Sequence, residues 1–284
     1  MFVLMPMVAL LIVLCGLAIG SFLNVVILRH EVGKVLGGRS GCPHCGHVLR
    51  WFELVPVVSY LAQRGKCRAC AARLSPQYPL VELLTAVTFL LVYRAQAITV
   101  WEWWMPIVLV LHGALWAILI VIVVYDLRTK LIPDRFNLIF ALLAACVALF
   151  ETVRVAGVFV GLDLAHLMQF SMHVLAGILL YAPFYGLWYV SHGRWIGLGD
   201  GKLAVGIGLL LGINGGISAV MFGFWLGAAV MLSWILVQRL LAFFGRGPQE
   251  HLGLRSAIPF GPFLVLGVAV VYFTDITFLS LFWY

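Results

Sequence analysis

Long apolar runs, each closed by a few polar residues, dominate the pattern along this 284-residue chain. A helix needs about 20 apolar residues to cross the hydrocarbon core of a bilayer. The runs predict eight spans, at roughly 4–28, 79–94, 104–125, 136–151, 168–190, 202–213, 217–238 and 259–279. The first reads as a membrane anchor rather than a cleaved signal peptide. It lacks a basic start, and its apolar run is too long for an h-region. The expected fold is therefore an all-α polytopic membrane protein with about eight transmembrane helices and one small loop domain. Its parts would be an anchor at 1–29, a cytosolic loop at 30–78 and a transmembrane core at 79–284.

Composition supports this reading, because 64% of residues are hydrophobic and 10% are charged. A soluble domain is nearer half apolar and a quarter charged. The formal charge of +7 could suggest nucleic acid, but its placement argues against that partner. Basic residues in short loops mark the cytoplasmic side. Arg29, Lys34, Arg39, Arg50, Arg64, Lys66, Arg68 and Arg73 follow the first span. Alternation then puts Arg128, Lys130, Arg135, Arg194, Lys202, Arg239, Arg246 and Arg255 on the same side, leaving only Arg94 and Arg154 opposite. The expected partner is the lipid bilayer, with both termini on the far face.

The loop carries Cys42-Pro-His-Cys45 and Cys67-Arg-Ala-Cys70, two knuckles separated by twenty-one residues. Paired knuckles at this spacing give four thiolates to one tetrahedral zinc. A cytosolic loop is kept reduced, which weakens a disulfide reading. Four cysteines also fill the coordination shell, so the zinc reads as structural. His44 and His47 read as solvated loop residues, and Cys15 and Cys146 as small buried hydrophobes within spans.

Acids at membrane depth are functional candidates, and four stand out: Glu82, Asp126, Asp134 and Asp200. Asp126 closes the third span, where the helix dipole opposes an anion. Asp200 opens the sixth span within Gly197-Leu-Gly199-Asp200-Gly201. Two complete spans lie between them, so both return to the cytosolic membrane face. Two close carboxylates can share a proton, one activating water while the other polarises a peptide carbonyl. Asp134 follows Pro133 and fits a helix start as well as a functional role. Glu82 likewise fits a first-turn acid.

Together these residues carry a family resemblance. Gly197-Leu-Gly199-Asp200 resembles the Gly-x-Gly-Asp signature of intramembrane aspartyl peptidases. Gly20-Ser21-Phe22-Leu23-Asn24, the cysteine knuckles, Tyr78-Pro79-Leu80-Val81-Glu82, Ile132-Pro133-Asp134 and Pro259-Phe260-Gly261-Pro262-Phe263 narrow the match. The chain resembles the type IV prepilin peptidases of the bacterial inner membrane. That resemblance implies removal of the leader from type IV prepilins and type II secretion pseudopilins, with Asp126 and Asp200 as the catalytic pair. It also implies N-methylation of the new terminus with S-adenosylmethionine, for which Glu82 is a candidate contact to the amine. A proton-coupled transporter with a regulatory zinc loop is the alternative.

The remaining expectations concern packing. Gly16-x-x-x-Gly20 and Gly223-x-x-x-Gly227 predict close helix crossings. Trp101, Trp103 and Trp104 fit an interfacial aromatic belt. His112, His173 and Asn24 read as hydrogen-bonded residues within the bundle. Gly245, Gly247 and Pro248 mark a loop that could cover the site.

Overall fold

A computed structural model describes residues 4–31, 33, 37–97, 104–156, 164–243, 259–278 and 280. Lys34, Trp101, Trp103, Gly245, Arg246, Gly247, Pro248 and Arg255 lie outside the described residues. The helices are α1 (Leu4–Glu31), the short α2 (Val58–Ala62), α3 (Gln77–Ala97), α4 (Met105–Thr129), α5 (Asp134–Ala156), α6 (Leu164–Ser191), α7 (Leu198–Phe243) and α8 (Gly261–Thr274). A single 3-10 turn, Trp51–Leu54, precedes α2. Among the described residues there are no strands, only two isolated bridges in the loop.

Among the described residues, six helices are long and apolar enough to cross a membrane: α1 and α3 to α7. Many large apolar side chains on them face outward, such as Leu10, Leu11 and Leu14 on α1 and Met168, Met172 and Ile178 on α6. An apolar surface of this extent suits lipid and not water. The chain is a multi-pass membrane protein. The spans expected at 202–213 and 217–238 both fall on α7, which has 46 residues. Drawn straight, that helix would reach about 69 Å, more than twice the roughly 30 Å hydrocarbon core. It is broken instead at Gly212, with φ 66° and ψ −171°, a conformation that glycine tolerates and side chains do not. The break interrupts the helical ladder, and His173 on α6 donates from Nδ1 to the Leu209 carbonyl one turn earlier, at 2.9 Å. Inside a bilayer such repair by a neighbouring helix is what makes a broken span tolerable. The last expected span appears as α8, a helix of 14 residues.

The chain divides into two compact units, Met1–Val124 and Tyr125–Tyr284. In the first, α1 packs on α3. A β-carbon at Gly16 would stand 2.6 Å from the Ala86 Cα, and one at Gly20 would stand 2.7 Å from the Glu82 Cα. The two backbones can approach this closely only because both positions lack side chains, as the spacing predicts. Asn24 closes the same crossing, donating to the Tyr78 carbonyl at 3.1 Å and accepting from Gln77 Nε2 at 3.3 Å. His112 bonds the Val108 carbonyl at 2.9 Å within α4.

In the second unit α7 is central, packing against α5, α6 and α8. Gly223 lies against the α8 backbone at Phe263 and Leu264, and Gly227 lies against the Phe263 ring. One packing expectation fails: Cys15 and Cys146 are exposed on their helices rather than buried. A small apolar side chain suits lipid as well as a protein core, so hydrophobicity alone could not choose the face.

Candidate functional site

The second unit gathers the acids. Asp126, in the last turn of α4, is 3% exposed. Its Oδ2 accepts the backbone N–H of Gly261, the first residue of α8, at 2.9 Å. A helix N-terminus presents unpaired N–H groups to an anion, which resolves the misfit of an acid at the end of α4. Asp200 lies half-buried in the first turn of α7, close enough to Asp126 for the two charges to act on each other. The structure therefore brings together the two carboxylates that topology matched.

Ile132, in the turn between α4 and α5, is the wedge between their supports. A β-carbon on Gly199 would stand 3.2 Å from the Ile132 Cβ, and one on Gly261 would stand 3.2 Å from its Cδ1. Neither glycine has room for a side chain. The first turn of α5 then meets the first turn of α7. Asp134 starts α5 and accepts from Lys202 Nζ at 2.6 Å, and Asn137 Nδ2 donates to the Gly199 carbonyl at 3.0 Å. Sequence reasoning missed Asn137, although a lone amide one turn into an apolar helix was a usable signal. The donor from Gly261 was invisible, because any residue except proline carries that N–H.

The first unit holds the cysteine loop and Glu82. The two knuckles repeat one backbone design. Cys42 N–H bonds the His47 carbonyl at 2.9 Å, and Cys67 N–H bonds the Ala72 carbonyl at 2.8 Å. Each turn closes through a positive-φ residue, Gly46 at 73° and Ala71 at 58°. Cys42 and Cys67 are buried while Cys45 and Cys70 are exposed, and all four sulfurs lie within 4.8 Å of one another. This cluster suggests a metal-binding site. Sulfurs about 2.3 Å from a tetrahedral zinc are about 3.8 Å apart, and Cys42 and Cys70 are separated by 3.9 Å. The donor set thus fits zinc. Backbone N–H groups of Cys70 and Ala69 pull the Cys67 thiol down to about 6. The N–H of Ala72 favours the Cys70 thiolate, but burial and the neighbouring thiols together push that group up to about 12. Four thiols that crowd one point resist ionising together, and a cation there removes the conflict.

Beside the knuckles, Glu53 accepts the Arg50 N–H at 2.8 Å and has His47 at 3.5 Å. The Arg50 bond and then the His47 contact hold its carboxyl below the usual range. Its contribution to loop stability is therefore present above that range and lost as pH falls through the lowered value.

Glu82 is buried at 6% exposure, on the second turn of α3. The first-turn expectation fails because α3 starts at Gln77, with Pro79 inside its opening turn. Glu82 Oε2 accepts the N–H of Val57 at 2.7 Å, and the Ser21 hydroxyl lies beside the carboxylate. Val57 has φ 60° and ψ −50°, a strained backbone for a β-branched residue. An intramembrane acid thus holds the loop in a conformation that its own sequence resists.

The fold and these two sites define a polytopic helical membrane protein with paired carboxylates in one unit and a four-cysteine loop in the other. The chain belongs to the type IV leader peptidase family. Residues 14–96 match the family model described as Bacterial Peptidase A24 N-terminal domain, and residues 113–232 match that of the Type IV leader peptidase family. A Prepilin leader peptidase/N-methyltransferase of Burkholderia pseudomallei is 32% identical over 92% of this chain and 84% of its own length. One of the same name from Myxococcus xanthus is 49% identical over 85 residues, 30% of this chain and 25% of that protein. A Type 4 prepilin-like proteins leader peptide-processing enzyme of Escherichia coli is 34% identical over 64% of this chain and 74% of that protein. No solved structure matches.

Proposed function

We propose that this chain is an inner-membrane aspartyl endopeptidase that removes the leader from type IV prepilins and type II secretion pseudopilins. It works at the cytosolic membrane face and then N-methylates the new terminus. The observation that carries the reading is the seating of Asp126 by the Gly261 N–H beside Asp200, in a chain whose relatives bear the name Prepilin leader peptidase/N-methyltransferase. One carboxylate accepts a proton from water as that water attacks the scissile carbonyl. The other, holding the shared proton, donates a hydrogen bond to the carbonyl oxygen and then protonates the departing amine. Gly197, where a β-carbon would meet nothing closer than the Asp200 carboxylate at 3.5 Å, leaves backbone room for an extended leader to reach Asp200. Two carboxylates and a water suffice for this step.

Zinc bound by Cys42, Cys45, Cys67 and Cys70 would be structural, closing the loop that presents Val57 to Glu82. S-adenosylmethionine would supply the methyl group. Glu82, a buried carboxylate with one oxygen held by Val57, suits an ammonium partner and is proposed to contact the substrate amine. The cytosolic orientation rests on the placement of the basic residues. Neither the fold nor the relatives favour a proton-coupled transporter.

The test is incubation of the purified enzyme with a prepilin and labelled S-adenosylmethionine, read by mass spectrometry. The expected product has lost its leader and gained one methyl on the new terminus. A prepilin recovered intact would defeat the reading, and leader loss without methyl gain would remove its second half.

A further inference from the structure

We propose that Asn137 is a positioning residue of the peptidase site, fixing the first turn of α7 so that the Asp200 carboxylate meets the scissile bond. The inference rests on the peptidase reading and deepens it. Asn137 lies on α5 and is 3% exposed. Its Nδ2 donates to the carbonyl of Gly199, the residue before Asp200, at 3.0 Å. On the other side of Asp200, Lys202 is bound at 2.6 Å by Asp134, one turn before Asn137 on the same helix. The first turn of α5 therefore holds the first turn of α7 at points flanking Asp200, with Ile132 packed against Gly199 between them.

Packing alone does not account for an asparagine there. Its Oδ1 is buried and has no hydrogen-bond partner, an arrangement that opposes stability. Turning the amide over would set oxygen against the Gly199 carbonyl, so the orientation is fixed by its partner. Nor does the carbonyl of Gly199 require this donor. It sits in the first turn of a helix, where the N–H four residues on can satisfy it, and its second lone pair can stay free. A leucine would fill the site without an orphaned atom. What the amide adds is direction: it fixes the backbone immediately before the carboxylate.

The experiment compares the full-length wild-type enzyme with Asn137→Ala, Asn137→Asp and Asp200→Asn, each purified in detergent and given a prepilin. Asn137→Ala is expected to lower kcat for cleavage by about 10- to 100-fold, with KM within about twofold and the thermal midpoint close to wild type. Methylation of a pilin already trimmed of its leader should be unaffected. Asn137→Asp keeps the shape but at neutral pH has no donor for the carbonyl. Its deficit should be at least as large there and should narrow as pH falls, because a protonated carboxyl can donate where the amide did. Wild-type kcat in Asn137→Ala overturns the proposal. So does an Asn137→Asp pH profile parallel to wild type, or a loss in both activities that tracks a lowered thermal midpoint. Should Asp200→Asn cleave at the wild-type rate, the peptidase reading itself fails. With Asp200→Asn inactive and Asn137→Ala fully active, only the role of Asn137 is lost.

Discussion

Gly261→Ala is expected to abolish leader cleavage as completely as loss of Asp126 itself, a fall of about 100-fold or more for a misplaced catalytic group. The new β-carbon would stand 2.8 Å from Asp126 Oδ2 and 3.2 Å from Ile132 Cδ1. Either the carboxylate turns away or the start of α8 retreats, and both break the 2.9 Å bond from the Gly261 N–H. The remainder of α8 also packs against α7 nearly two turns further on, where Gly267 meets Ala219, so the fold should survive. Initial rates on a prepilin check the expectation, with a thermal melt as the control for folding. An alanine enzyme that cleaves within twofold of wild type would show that the bond is incidental.

Metal removal should have the second large effect, confined at first to the loop. Between residues 37 and 76 only Cys42, Glu53 and Cys67 are buried among the described residues, so the segment has no apolar core to hold it. Metal binding then supplies its folding free energy. A chelator, or Cys42→Ser, should turn the loop from protease-resistant to rapidly cut, and metal analysis should find one ion per chain before treatment. The pH dependence has a definite sign. Thiolates bind the metal only when deprotonated, so protons displace the metal as pH falls. Once the loop opens, Val57 no longer faces Glu82 in its strained conformation. Methyl transfer should then fall further than cleavage. Equal loss of both activities would contradict a methyl-transfer role for Glu82.

Much of this molecule was legible in the sequence, for identifiable reasons. The cysteine pairs declare themselves because two residues between thiols is the spacing that lets both reach one ion. Asp126 was conspicuous because its helix end opposes it, and counting spans matched it to Asp200. The crossings at Gly16, Gly20, Gly223 and Gly227 followed from spacing alone. What stayed hidden depends on tertiary partners. Nothing local marks the Gly261 N–H as the donor to Asp126, or Val57 as the donor to Glu82. That the spans expected at 202–213 and 217–238 run on through a break at Gly212 was not legible, because a glycine hinge and a short polar turn interrupt an apolar run alike. Cys15 and Cys146 were assigned to the wrong face because lipid and protein interior are equally apolar.

Asp126 and Asp200 are proposed to act as one peptidase pair. The most direct test of that proposal gives a prepilin to the wild-type, Asp126→Asn and Asp200→Asn enzymes in membranes and quantifies the released leader by mass spectrometry. Both substitutions keep side-chain shape and remove the carboxylate, and each is expected to eliminate leader release while leaving a trimmed pilin open to methylation. Release at the wild-type rate by either variant would contradict the account.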